Sequence, residues 1–182
     1  KQRINSTGNV IHFLGFGYCD SYGLEDNKHN NGIEDIGYAS GAAMLIKKEV
    51  IDDIGYCDEA YFMYHDDMEI SLRARLRNWR VVCALNSQIA HKYEFSRSIS
   101  RVYYMERNRY MLVFTLYRLR TLLLISPLLL IMEFAMIFYA TKQRWLRAKL
   151  RSSWYFFNPS NWKRIIETRY EIQRNRKITD AE

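Results

Sequence analysis

Apolar residues along this chain follow two regimes that divide near residue 110. Before it, GAAMLI (Gly41 to Ile46) and RVVCAL (Arg80 to Leu85) read as buried strands, and SQIAH, ending at His91, as a further short one. KKEVIDDIG predicts a short helix that stops at Gly55. Met68, Leu72, Leu76 and Trp79 recur at helical spacing. That predicts a helix with one stripe on a core and with Arg73, Arg75 and Arg77 facing outward. Together these make an α/β pattern with covered strands. The stretch from Gly15 to Gly41 is rich in Gly, Asn and Asp, and reads as a long irregular loop able to line a site. The sequence holds no internal repeat and no low-complexity run.

Beyond residue 110 the pattern changes. TLLLISPLLLIMEFAMIFYA, Thr121 to Ala140, has roughly the ~20 residues that cross a bilayer core as a helix. Pro127 and Glu133 interrupt it, and both flanks are basic: Arg107, Arg109, Arg118 and Arg120 before it, Lys142, Arg144, Arg147, Lys149 and Arg151 after it. A simple span collects its Lys/Arg excess on one side. Two basic flanks predict both ends on the same side, in a bent re-entrant hairpin or a helix lying in the interface. The alternative is the apolar core helix of a soluble protein, but little other apolar sequence after residue 110 is there to surround it. WYFF (Trp154 to Phe157) and Trp162, interleaved with Lys163 and Arg164, read as an interfacial aromatic belt facing lipid phosphates. RIIETRYEIQRNRK, Arg164 to Lys177, reads as a solvated amphipathic helix. The predicted organisation is an α/β unit over 1–110, hydrophobic membrane-associated helices over 111–152, as a re-entrant hairpin or a span, and a basic amphipathic helix over 153–182.

A length of 182 residues holds one domain plus something more. The net charge of +7 and pI near 9.3 admit nucleic acid, an anionic membrane surface or a phosphorylated substrate as partner. Cys19, Cys57 and Cys83 form an odd set without a C-x-x-C pair, which points to neither a disulfide framework nor a cysteine zinc site, and to a reducing, cytosolic setting. In that setting the sequon Asn5-Ser6-Thr7 would be unused. The chain starts at Lys1 without a signal-peptide pattern, so a trimmed or missing N-terminal portion is expected.

The densest chemistry lies in YFMYHDDMEISLRARL, where Asp66, Asp67 and Glu69 gather at a helix start. Asp66 with Glu69 matches an aspartate version of the capping box, and helix N-termini favour negative charge. Capping leaves Asp67 unexplained. Crowded like charges beside the rings of Tyr61, Phe62 and Tyr64 should push at least one carboxyl pKa upward, which prepares a general base. His29 with Asp26 and Asp35 hints at metal, although so Asn-rich a loop reads better as solvated.

The succession SGAAMLIKKEV, IGYCDEAYFMYHDDMEISLRAR, NWRVVCALNSQIAHK and YYMERNRY, about residues 36 to 110, resembles the C-terminal half of the catalytic domain of family 2 inverting glycosyltransferases, especially the rhamnosyltransferase-like bacterial and archaeal members. INSTGNVIHFLGFGY is similar to the loop before the Ser-Gly-Ala strand in related enzymes. The resemblance implies the C-terminal portion of a GT-A, Rossmann-like nucleotide-diphospho-sugar transferase domain, followed by a helical membrane-associated region. It implies that Asp67 is the general base that takes the acceptor's proton, with Asp66 where the family usually has Glu and Glu69 where it usually has Asp. Ser40, Gly41 and Ala42 would line the sugar pocket, and Asp58, Glu59 and Tyr64 would stand on the acceptor side or shape the turn. His91 would complete a Mg²⁺ or Mn²⁺ site beside the nucleotide diphosphate. The implied partners are a nucleotide-sugar donor, a glycan or polyprenyl-linked acceptor and the cytoplasmic face of the cell membrane, with no nucleic acid.

The chemistry fits these residue types, because a sugar hydroxyl is a poor nucleophile until a carboxylate within hydrogen-bond reach takes its proton. His91 by itself is equally a packed histidine at a strand end, and Ser40-Gly41-Ala42 equally tight backbone packing. One departure stands out: no Asp-x-Asp donor motif precedes Ser40, so the isolated chain is expected not to transfer sugar. Two readings of other classes remain, a binding module with a basic tail and a transferase-derived membrane scaffold.

Overall fold

The computed structural model describes residues 3–25, 32–90 and 99–181. Its fold is mixed α/β, with small sheets and mostly helices. β1 (Asn9–Ile11) pairs antiparallel with β2 (Gly17–Cys19), and β3 (Ile33–Asp35) pairs antiparallel with β4 (Val82–Ala84). The region between Gly15 and Gly41 is therefore not one irregular loop, because β2 and β3 lie within it. The strand expected over Arg80 to Leu85 forms as β4, but it lies at the surface, not between covering layers. No strand forms over Gly41 to Ile46. Ser40 to Ala43 is a turn, closed by the Ala43 N–H on the Ser40 carbonyl, and Leu45 is 99% exposed. Apolar composition alone cannot hold a strand there, since a strand needs a ladder partner and none lies beside it among the described residues. Ser87 to Ala90 also forms no strand, and His91 lies outside the described residues.

α1 (Lys48–Ile54) stops at Gly55, as its sequence predicts. α2 (Asp66–Leu76) buries Met68 and Leu76 and partly buries Leu72, while Trp79 lies past its end and donates its indole N–H to Asp53 at 2.8 Å. Its arginines do not face free solvent. Arg73 donates to the carbonyls of Ile54 and Tyr56, Arg75 to that of Ile36 at 2.8 Å, and Arg77 pairs with Asp53. These guanidiniums staple α1 and the β3 end onto α2, using the geometry that lets one Arg satisfy several acceptors.

α3 (Ile99–Leu116) runs through residue 110 without a break and is the spine of the molecule. α5 (Leu146–Trp154) and α6 (Pro159–Asn175) pack along it, and the end of α3 joins the core of Tyr38, Tyr61, Met68, Met111, Leu112 and Leu116. The last carbonyls of a helix lack intrahelical partners. Here α6 supplies them: Arg169 donates to Phe114 and Tyr117, and Gln173 to Thr115 and Leu116. α6 thus packs along α3 with Ile165 buried, while much of its other surface stays exposed.

α4 (Leu119–Lys142) is one continuous helix with Pro127 inside it, and no turn divides it. It is long and apolar enough to cross a membrane, and little of it is buried, so it is not the core helix of a soluble body. Asp180 anchors its N-terminus, accepting from the Arg118 N–H at 2.7 Å and the Thr121 hydroxyl at 2.5 Å. Glu133 meets Lys149 of α5 at 2.7 Å, and Lys149 meets Glu106 of α3 at 2.6 Å. Arg107 and Arg109, counted in the sequence as a basic flank, are buried instead.

Gly37 closes the approach of this body to the β1 hairpin: a Cβ there would lie 2.8 Å from the Asn9 carbonyl oxygen and 3.1 Å from the Ile11 nitrogen, both backbone. Gly37→Ala is expected to cost about 1–3 kcal/mol, read as a lowered thermal midpoint. An unchanged midpoint would mean that the hairpin does not pack there in solution.

Candidate functional site

The site is built on a strained approach to α2. Phe62, Tyr64 and His65 all have positive φ (58°, 64° and 64°), a conformation that costs non-glycine residues energy and persists only when the surroundings enforce it. α3 supplies the enforcement. The Asn108 amide, fully buried, donates to the carbonyls of Tyr61, Met63 and Tyr64 at 2.8, 2.8 and 2.7 Å. Arg107 donates to the carbonyls of Ala60 and Tyr61 and, through Nε, to Asn108 Oδ1 at 2.9 Å. Its guanidinium also lies over the rings of Tyr104 and Tyr155, 5.0 and 5.2 Å from their centroids. This clamp fixes where the first turn of α2 points.

The capping box expected from Asp66 and Glu69 does not form. His65 is the N-cap, without a side-chain cap bond, and Asp66 is already inside the helix. Glu69 is buried and its carboxylate goes to Arg73, which donates to Oε2 at 3.1 Å. Burial pushes the Glu69 carboxyl up, opposed by Arg73.

Asp67 behaves differently. The Gly41 N–H donates to its Oδ2 at 3.0 Å and the Met68 N–H to Oδ1 at 2.8 Å. The Ala39 N–H reaches Ser71 Oγ at 3.1 Å, so the turn at Ser40, Gly41 and Ala42 is tied to the first turns of α2 at two points. A Cβ on Gly41 would lie 3.6 Å from Asp67 Cβ, ordinary contact. Burial raises the Asp67 pKa, the Gly41 N–H opposes this, and the charge of Asp66 adds to the rise. Crowded carboxylates were expected to do this, and desolvation is the larger cause. The half-buried Asp67 carboxylate has lone-pair capacity beyond the backbone N–H groups it accepts, so it can take a proton from a hydroxyl placed at the turn.

The structure thus brings the Ser40, Gly41 and Ala42 turn together with Asp67, beside which Asp66 adds its charge, and turns Glu69 toward Arg73. Asp58 accepts from the Ala60 N–H at 2.9 Å and caps a short 3-10 turn, Glu59–Tyr61, with Glu59 exposed. Tyr64 contributes strained backbone to the clamp. His91, Asp26 and His29 lie outside the described residues, and Asp35 pairs with Arg80 at 2.9 Å. Among the described residues no three His, Cys, Asp or Glu side chains converge on a point, so they do not by themselves form a Mg²⁺ or Mn²⁺ site. Sequence reading missed Asn108, Arg107 and His65, which is held neutral with its pKa lowered to about 4 by burial and by Arg109. The available signal was MERNRY, a polar run set inside an apolar helix.

No family model and no solved structure matches the chain. It is 33% identical over 93 residues, 48% of its length, to the low-salt glycan biosynthesis hexosyltransferase of Haloferax volcanii, covering 29% of that protein. It is 29% identical over 56 residues, 31% of its length, to the N-acetylglucosaminyl-diphospho-decaprenol L-rhamnosyltransferase of Mycobacterium tuberculosis, covering 18% of that protein. The chain therefore spans less than a third of the length of these curated relatives. These partial similarities support a glycosyltransferase in general.

Two outcomes test the site. Asn108→Ala removes the side-chain donor from the Tyr61, Met63 and Tyr64 carbonyls, of which Tyr61 keeps Arg107, and is expected to cost about 1–3 kcal/mol, seen as a lower unfolding midpoint. Asp67 works in the opposite direction: a carboxyl with a raised folded pKa stabilises most below its unfolded value near 3.8, and that contribution is lost as pH rises. Asp67→Asn should therefore melt higher than the parent near neutral pH, with the gap narrowing as pH falls. A gap independent of pH would show that the carboxyl titrates normally.

Proposed function

We propose that this chain is the acceptor-side part of a membrane-attached, inverting glycosyltransferase of the family 2, GT-A type, which moves a sugar from a nucleotide-sugar donor to a lipid-linked or polysaccharide acceptor. The observation that carries the reading is Asp67, a carboxylate with a raised pKa held against an exposed Ser40–Ala42 turn by the Gly41 N–H. The partial similarity to a hexosyltransferase and a rhamnosyltransferase supports the same class.

The acceptor hydroxyl rests against the turn with its proton toward Asp67. As its oxygen bonds to the anomeric carbon, the bond from that carbon to the diphosphate oxygen breaks. The electron pair leaves with the nucleotide diphosphate, the configuration inverts, and the proton passes to Asp67. Partial burial suits this step, since a base with a pKa nearer the working pH than a free aspartate takes a proton more readily. Mg²⁺ or Mn²⁺, with His91 as a ligand, belongs to the donor side of the proposal and would neutralise charge on the departing diphosphate. Since the donor-binding half contributes the nucleotide site, the 182-residue chain alone is expected to show no transfer. The basic, apolar region from α4 onward would hold the catalytic turn at the cytoplasmic face of the membrane, where lipid-linked acceptors present their phosphates.

The test is transfer of labelled sugar from nucleotide sugars to endogenous lipid acceptors in membranes containing the full-length protein. Asp67→Asn should lower kcat by roughly 10²- to 10⁴-fold at unchanged protein level, the range of a lost general base. Asp67→Glu should recover part of the loss. Full activity in Asp67→Asn would overturn Asp67 as the base.

A further inference from the structure

The two faces of α4 bear on the mode of membrane attachment, which rests on the membrane part of the proposal above and is independent of the transfer chemistry. At 3.6 residues per turn, α4 has two distinct faces. Leu123, Leu124, Leu130, Ile131, Phe134 and Phe138, each at least 61% exposed, share an outer arc of about 120°. The inner face is occupied along the whole helix. Thr121 is bound by Asp180 near the start, Ile125 and Leu129 pack on Leu14 and Val113, Glu133 is paired with Lys149, and Ala140 is fully buried near the end.

A helix crossing the bilayer would carry these neighbours to membrane depth with it. They include α5, whose Arg147 and Arg151 are exposed, and the irregular backbone between β1 and β2 around Leu14. Exposed charges and loop backbone facing lipid are both costly in hydrocarbon. A helix lying in the plane of the membrane avoids both. Its inner face stays on the protein body, only its outer arc enters the acyl boundary, and the exposed cations at both of its ends, Arg118, Arg120, Lys142 and Arg144, meet headgroups of one leaflet. The exposed rings of Tyr139 and Trp154 are suited to the same level.

We infer that α4 is a monotopic docking helix, seated flat in one anionic leaflet by the arc from Leu123 to Phe138, and that it neither spans the membrane nor re-enters it. The body of the protein supplies the polar side that an isolated interfacial helix would carry on its own surface.

The experiment places single cysteines at Arg120 and Lys142 of the full-length protein, in a background with Cys19, Cys57 and Cys83 changed to serine. A membrane-impermeant maleimide is then applied to sealed right-side-out and inside-out vesicles. Both positions are expected to label from the same face without detergent; labelling from opposite faces would overturn the inference in favour of a span. In a second arm, purified Phe134→Asp/Phe138→Asp protein is floated with phosphatidylglycerol–phosphatidylcholine vesicles. Both side chains are exposed, so folding should survive, checked by an unchanged thermal midpoint, while flotation is lost. Retained flotation, or a parent that self-associates through this face and ignores vesicles, would also overturn it. Neither arm reads sugar transfer, so failure here is separable from failure of the transferase reading.

Discussion

Four consecutive polar residues buried in one helix, Glu106 to Arg109, set the constraint on which the rest of the structure depends. A buried charge or amide is tolerated only when its hydrogen-bonding capacity is met. α3 meets most of it, in two directions at once, with Arg109 Nε left unbonded. Arg107 and Asn108 reach to the backbone of Ala60 to Tyr64, while Glu106 and Arg109 pair with each other at 3.1 Å, and Glu106 extends to Lys149. Arg109 and Lys149 hold the Glu106 carboxyl below the usual range against the upward push of burial. Breaking one such partner leaves the others uncompensated, which makes the cluster a rigid reference for everything packed on it.

That reference links the two parts of the proposed function. On one side of α3 the clamp holds a backbone that Phe62, Tyr64 and His65 would not adopt freely, and so aims Asp67 at the Ser40–Ala42 turn. On the other, Lys149 passes the same anchoring to Glu133 and fixes α4 along the body. In the proposed function, the Ser40–Ala42 turn and the outer arc of α4 are thus mounted on one spine, which would set the distance between the site and a membrane-held acceptor.

Much of the helical plan is legible in the pattern of apolar residues. α1 ends at its glycine, α2 follows its stripe through Leu76, and α4 coincides with the long apolar run. The carboxylate cluster was legible too, and the upward shift of Asp67 follows from its crowding and its apolar surroundings. What failed were inferences that required knowing a neighbour. GAAMLI has strand composition but no ladder beside it, and Glu69 looks like a capping partner until Arg73, one turn on, takes its carboxylate.

By itself, then, the sequence determined where α1, α2 and α4 form, that α4 is largely apolar, and that three acidic residues open α2. These properties depend on local spacing and on the preference of each side chain for water. Tertiary structure alone decided that Arg73, Arg75 and Arg77 are staples, that Arg107 and Arg109 point inward, and that Asp67 rather than Glu69 faces the Ser40–Ala42 turn. The reason is that a polar group's place is set by its partner, and these partners are remote in the chain: Asn108 is separated from Tyr61 by 47 positions, and Lys149 from Glu106 by 43. Periodicity registers whether a residue prefers burial, but not which distant carbonyl or carboxylate will make burial of a charge possible.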